Sequence, residues 1–161
     1  MGASQYVLDL RERLGTQLLL LPSVCGLVFN DAGEILLHRR SDTGRWAVIG
    51  GGMDPGEQPA DAVVRKVFEE TGVRAVAERI TAVYTVPQQT YANGDQAQYV
   101  VTVFRCRWIA GTPHAADDET LEAKFFPLDQ LPELRPDHRA RIEHAAAGGE
   151  PFFVPPDKPV T

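Results

Sequence analysis

Cysteine is scarce in this chain: Cys25 and Cys106 are the only two among 161 residues. Each stands in an apolar run, without the spacing of a zinc or disulfide framework. The expectation is two buried thiols in a reducing compartment, the cytoplasm. Basic residues are outnumbered, 16 Lys and Arg against 22 Asp and Glu, and no Lys/Arg run dominates any stretch. A duplex nucleic-acid binder needs a basic face, so that partner is excluded from the reading. Long apolar runs are missing too. The longest, Leu18 to Phe29, is broken by Pro22, Ser23 and Gly26 and is too short to cross a bilayer, so no membrane partner is expected. The opening stretch, MGASQYVLDLRERLG, is amphipathic rather than signal-like. The histidines, His38, His114, His138 and His144, are scattered and form no ligand pair, which argues against zinc. No Gly-x4-Gly-Lys-Ser/Thr loop occurs, which excludes a standard P-loop nucleotidase.

What remains is an ordinary globular composition, 43% hydrophobic and 24% charged. The length fits one domain, 1–161, with a helix and lead-in over 1–20 and an extended proline-rich tail over 148–161. The patterning predicts a short helix over Tyr6–Leu14, with Leu8 and Leu10 as its apolar contacts. A homodimer through that helix is left open. Strands are predicted at Val24–Asn30, Glu34–Arg39, Trp46–Ile49, within Ala75–Val86, at Tyr99–Ile109 and at Leu121–Pro127. Asn93-Gly94 is a hairpin-turn signal. Helices are predicted over Pro59–Thr71, with proline in the first turn and Gly72 past the end, and over Pro136–Ala147. Strands grouped around two helices make an α+β or α/β sandwich.

At about 100° per residue, Ala60, Val63, Val64, Val67 and Phe68 share one side of the Pro59–Thr71 helix and form a core-facing stripe. Asp61, Arg65, Glu69, Lys66 and Glu70 fall opposite. Glu69 and Glu70 are adjacent carboxylates near the C-terminus, where the helix dipole disfavours anions unless something compensates. Two hard oxygen ligands for a divalent cation would do so. A plain solvated surface is the simpler reading of such a pair taken alone. The neighbourhood weighs against it. Gly50-Gly51-Gly52 lets backbone approach a ligand closely, Asp54-Pro55-Gly56 turns the chain, and Glu57 enters the helix where it can pair with Arg65.

The run Gly51, five residues, Glu57, seven residues, Arg65, then Val67, Glu69, Glu70, Gly72 and Val73 resembles the Nudix box. The flanks Ile35-Leu36-Leu37-His38-Arg39-Arg40, Trp46, and Phe125-Phe126-Pro127-Leu128-Asp129-Gln130-Leu131-Pro132 resemble the family as well. The resemblance implies a Nudix-type α/β/α sandwich with a mixed sheet. It also implies a hydrolase that cleaves the diphosphate of a nucleoside diphosphate derivative: a nucleotide sugar, ADP-ribose, a dinucleotide or a nucleoside triphosphate. The implied cofactor is Mg²⁺ or Mn²⁺. Carried over residue by residue, the Gly51 carbonyl, Glu57, Glu69 and Glu70 are the metal set, and Arg65 orients a glutamate, Glu57 first of all. The metal would neutralise the diphosphate and activate water.

One box position departs: Lys66 stands where the pattern has glutamate. The change replaces a negative charge by a positive one beside the metal set, so fewer metals or weaker metal binding is expected. Lys66 either contacts substrate phosphate or points away with catalysis intact, or it impairs hydrolysis and leaves a ligand-binding or regulatory domain. A protonated lysine cannot act as base, so that role passes to the loop Asp117-Asp118-Glu119, with Glu119 the candidate, or to Glu122. Arg39, Arg40 and Arg45 flank the expected entrance, with Arg39 or Arg40, and Arg45, as candidate phosphate contacts. Trp46 is read as core packing. Tyr84, Tyr91 and Gln98 are possible cleft residues whose direction nothing fixes.

Overall fold

A computed structural model describes residues 4–157 of the chain. Residues 1–3 of the expected lead-in and 158–161 of the expected tail lie outside them. Among the described residues three helices, α1 (Gln5–Leu14), α2 (Pro59–Thr71) and α3 (Pro136–Ala147), accompany nine strands. These are β1 (Leu19–Phe29), β2 (Ile35–Arg40), β3 (Trp46–Ala47), β4 (Ile49–Gly52), β5 (Arg74–Thr85), β6 (Gln89–Thr90), β7 (Gln96–Ala110), β8 (Thr120–Phe126) and β9 (Phe152–Phe153).

The spine of the sheet is the parallel ladder of β1 with β7, running from Leu19↔Ala97 to Phe29↔Arg107. On its far side β7 pairs antiparallel with β5. The other edge of β1 is shared. Ser23 to Gly26 pair with β4, and Phe29 pairs with Ile35 of β2, which carries β3 and β8. This split lets the Gly50–Gly52 segment end its strand directly before the turn into α2.

Side chains alternate between the two faces of β1. Cys25, Leu27 and Phe29 join a core with Leu37, Val103, Ile142 and Ala145 under α3. Val24 and Val28 join Ile49, Val63, Val67 and Phe104 under α2. A helix on each face of one mixed sheet is the expected α/β/α sandwich. Burying an apolar side chain of this size stabilises the fold by about 1.5–3 kcal/mol, and Val63 and Val67 are both fully buried. α2 is therefore held to the sheet by packing, whatever its polar face does.

Several boundaries differ from the sequence reading. β1 begins at Leu19 rather than Val24, running through Pro22. Proline lacks an amide donor, but its carbonyl still accepts from Met53 N–H at 3.3 Å, so the ladder survives. β7 begins at Gln96 rather than Tyr99 and forms a hairpin arm with β6 around Asn93-Gly94. In the tail, Phe152 and Phe153 add a strand beside β5 that the proline content had hidden. On α1, Val7 and Leu10 pack on Leu19, Leu21 and Ala97, while Leu8 is exposed. The contacts follow i and i+3, so Leu8 cannot join them. Trp46 packs in the core, edge-on to Phe126 at 4.8 Å, and both cysteines are buried free thiols. Among the described residues no helix is long and apolar enough to cross a membrane.

Candidate active site

α2 starts at Pro59, whose fixed φ and missing amide suit the first turn, and stops at Gly72. There φ is +68° and the N–H bonds to Phe68 O at 2.9 Å. A Cβ at Gly72 would lie 2.1 Å from the His114 ring, so a side chain here would strain the backbone and displace that ring. The buried face is Ala62, Val63 and Val67, with Glu70 and Thr71. Two expectations fail here. Ala60 is exposed and so is Phe68, 50% open with the Arg74 guanidinium 6.0 Å above its ring. Glu70, assigned to the outer face, is 2% exposed. It lies three residues past Val67 and seven past Val63, on the inward stripe.

The last carbonyls of the helix are capped from outside. His114 N–H bonds to Thr71 O at 3.1 Å and Ala116 N–H to Glu70 O at 3.3 Å. These bonds satisfy orphan acceptors of the helix end and pin the 111–118 loop beside it. Glu119 follows, its N–H on Asp117 Oδ1 at 3.1 Å and its carbonyl accepting from Ser41 N–H at 2.8 Å. A cavity of about 600 Å³ opens between Lys66, Phe68 and Glu69 of α2 and His114, Asp117 and Glu119 of the loop. The structure thus brings Glu69, Lys66 and Glu119 together.

Arg65 is the hub of the outer face. It donates to both oxygens of Glu57, Nε at 2.6 Å and Nη2 at 2.8 Å, and through Nη1 to Glu69 at 3.1 and 3.2 Å. Asp54 N–H also donates to Glu57 Oε2, at 2.9 Å. The Arg65 fork holds the Glu57 carboxyl at about 2, well below its ordinary range. Glu57, expected both as a metal ligand and as the partner of Arg65, fills the second role, with both oxygens engaged. Lys66 Nζ reaches Glu69 at 3.1 Å. Glu69 is held below its ordinary range by Lys66 and Arg65 against a desolvation cost. On β4, the Gly51 carbonyl accepts from Ser23 Oγ at 3.0 Å. Glycine at position 50 is forced, since a Cβ there would sit 2.5 Å from the Val24 carbonyl.

Glu70 has the opposite electrostatics. Burial pushes its carboxyl up to about 8, with Asp117 and Glu119 adding to the rise and Lys66 and Arg40 opposing it. Its Oε2 lies 3.3 Å from His38 Nδ1. His38 is lowered to about 4, mainly by burial and then by Arg40 and His138. Burial disfavours the charged form of both groups in this contact. His38 Nδ1 lies 3.1 Å from Thr120 Oγ1, while among the described residues His38 Nε2 and Glu70 Oε2 have no hydrogen-bond partner.

The remaining candidates lie apart. Arg39 pairs with Glu122 at 3.6 Å on the β2–β8 ladder, and Glu122 also holds Lys124 at 3.1 Å. Neither lines the cavity. Arg45 is exposed in the loop before β3. Arg40, on the other strand face from Arg39, is the arginine whose charge reaches Glu70 and Glu119, though its fork is taken by Asp42 at 2.6 and 2.9 Å.

The profile of the NUDIX domain matches residues 19–145. The chain belongs to the Nudix family. It is 30% identical to a MutT-like protein of Streptomyces ambofaciens over 80% of this chain and 79% of that one. It is 30% identical to an ADP-ribose pyrophosphatase of Methanocaldococcus jannaschii over 87% and 82%. The structure of a MutT NUDIX hydrolase from Burkholderia pseudomallei superposes with a TM-score of 0.60 at 28% identity, covering 78% of this chain and 98% of that one.

The Nudix box thus supplies an all-oxygen donor set of the Gly51 carbonyl, Glu69 and Glu70, the chemistry that suits a hard divalent cation. Glu70 Oε2, buried without a hydrogen bond and with His38 Nδ1 at 3.3 Å, is the observation that fits one. The set is not pre-assembled: among the described residues no three His, Cys, Asp or Glu side chains are grouped around one point. Burial favours the protonated form of Glu70, and the Lys66 ammonium sits on Glu69. Two residues escaped the sequence reading. His38 was passed over because its partner is 32 residues away in sequence and adjacent only in space. His114 shows no motif, and its tie to Gly72 exists only through the loop. Between Arg39 and Arg40, alternatives on sequence alone, strand alternation favours Arg40.

Proposed function

We propose that this protein is a divalent-metal-dependent hydrolase that cleaves the diphosphate of a nucleoside diphosphate derivative, with ADP-ribose as first candidate. It is a Nudix-type pyrophosphohydrolase. The observation that carries the reading is the convergence of Glu69, Lys66, Asp117 and Glu119 on one cavity at the C-terminal end of the box helix. The choice of ADP-ribose follows the M. jannaschii relative, which aligns with most of this chain.

Bound Mg²⁺ or Mn²⁺, held by Gly51 O, Glu69 and Glu70, would supply charge neutralisation of the diphosphate and activation of water. The chain's own groups do the rest. Arg65, anchored on Glu57, fixes the rotamer of Glu69. Lys66 donates to a phosphoryl oxygen. Glu119 accepts a proton from the attacking water as its oxygen bonds to phosphorus, and the bridging P–O bond breaks with its electron pair leaving on the second phosphate. Two buried free thiols support a reducing compartment, the cytoplasm.

A second reading has its own observation. The Lys66–Glu69 contact puts an ammonium on a candidate ligand, and in that reading the domain binds its ligand without turning it over. The test is a panel of ADP-ribose, a UDP-sugar, a dinucleoside polyphosphate and a nucleoside triphosphate with Mg²⁺ or Mn²⁺, products identified by chromatography. ADP-ribose should yield AMP and ribose 5-phosphate. Binding without product across the panel selects the second reading.

A further inference from the structure

Lys66 is more than a surface partner of Glu69. Its stem lies flat over Gly51, where a Cβ would meet Lys66 Cε at 2.8 Å, Cδ at 2.9 Å and Cγ at 3.5 Å. Its side chain is only 18% exposed. The stem therefore covers the backbone segment that offers the Gly51 carbonyl, while the ammonium sits 3.1 Å from Glu69 Oε2. It also borders the cavity shared by Glu69, Asp117 and Glu119. An ordinary exposed i,i+3 pair has a mobile stem and contributes little. Here the stem has been immobilised by packing, so the charge is delivered to one place. An ammonium is a compact cation with three donors and binds phosphate as a point charge.

We propose that the Lys66 ammonium is a tethered cation of the diphosphate site. It stands in for one divalent ion between Glu69 and the substrate's phosphoryl oxygens, so this chain loads one metal ion fewer than its Lys66→Glu variant. The inference rests on the metal-dependent reading above. Glycine at 51 belongs to the same device, since any side chain there would lift the Lys66 stem away.

The test counts Mn²⁺ on the full chain without substrate, by electron paramagnetic resonance of the free ion. Wild type, Lys66→Glu and Lys66→Met are compared, with thermal melts to show that each is folded. Lys66→Glu removes the ammonium and adds a ligand, and it should bind one more Mn²⁺ per chain. Lys66→Met keeps a stem but no charge. It should bind as many ions as wild type, about fivefold more tightly or better, because the competing cation is gone. Equal counts in wild type and Lys66→Glu, or a gain of less than about fivefold in Lys66→Met, overturns the tethered-cation role. If turnover of ADP-ribose persists beside equal counts, only this role falls. Absence of Mn²⁺ binding in all three, with no turnover, takes the metal-dependent reading with it.

Discussion

Replacing Glu57 by glutamine isolates the Arg65 strut. The variant keeps size and one acceptor oxygen, so the Asp54 N–H bond can persist, but the charged fork-to-carboxylate pair at 2.6 and 2.8 Å is lost. A carboxyl moved from 4.5 to about 2 sets a ceiling of about 3 kcal/mol at neutral pH. Both side chains keep some solvent contact, 28% for Arg65 and 20% for Glu57, and screening reduces the expected loss to about 1–2 kcal/mol. The folded-state value is depressed, so this stability is fully present above pH 4.5 and disappears as pH falls through about 2. Urea denaturation of wild type and Glu57→Gln in chelator should show the gap at pH 7 and pH 5, shrinking towards zero near pH 2. A gap that is absent at pH 7, or the same at pH 7 and pH 2, would refute the assignment of Glu57 as an ionised partner of Arg65.

Glu70→Gln should act with the opposite sign. The raised folded-state value, about 8, means that burying Glu70 costs nothing below pH 4.5 and progressively more up to pH 8. In chelator the variant should be more stable than wild type by about 2–4 kcal/mol at pH 8 and equal to it at pH 4, measured by denaturation at both. Gly72→Ala forces an alanine to positive φ against the His114 ring. A cost of about 2 kcal/mol should lower the melting temperature by about 4–8 °C, and adding His114→Ala should restore part of it. Glu119→Gln should lower kcat about 100-fold or more at unchanged KM, while Glu122→Gln, paired with Arg39 and Lys124 on the strand, should stay near wild type. A loss in Glu122→Gln alone would move the base to that strand.

The box was legible because its residues are local. Gly51, Glu57, Arg65 and Glu69 lie within one loop and one helix, and their spacing alone brings Arg65 onto Glu57 and Glu69. The sandwich was legible because the strands and both packing helices carry clear periodicity. Glu70 was misplaced because a carboxylate weighs against the buried face in any hydropathy argument. Helical geometry puts it beside Val63 and Val67, and tertiary burial then prevails by raising its proton affinity. His38 and Thr120 lie far apart in sequence, and only the β2–β8 ladder brings them to Glu70. Pro22 and the prolines of the tail hid strand residues because proline removes one donor and leaves its carbonyl available.

The central claim is that the Gly51–Val73 loop and helix form the hydrolytic site. The most direct measurement is kcat/KM for ADP-ribose at saturating Mg²⁺ in wild type and Glu69→Gln, with melting curves to show equal folding. Wild type should yield AMP and ribose 5-phosphate, and the variant should fall about 1000-fold or more. A Glu69→Gln enzyme that retains more than about a tenth of wild-type turnover would contradict it.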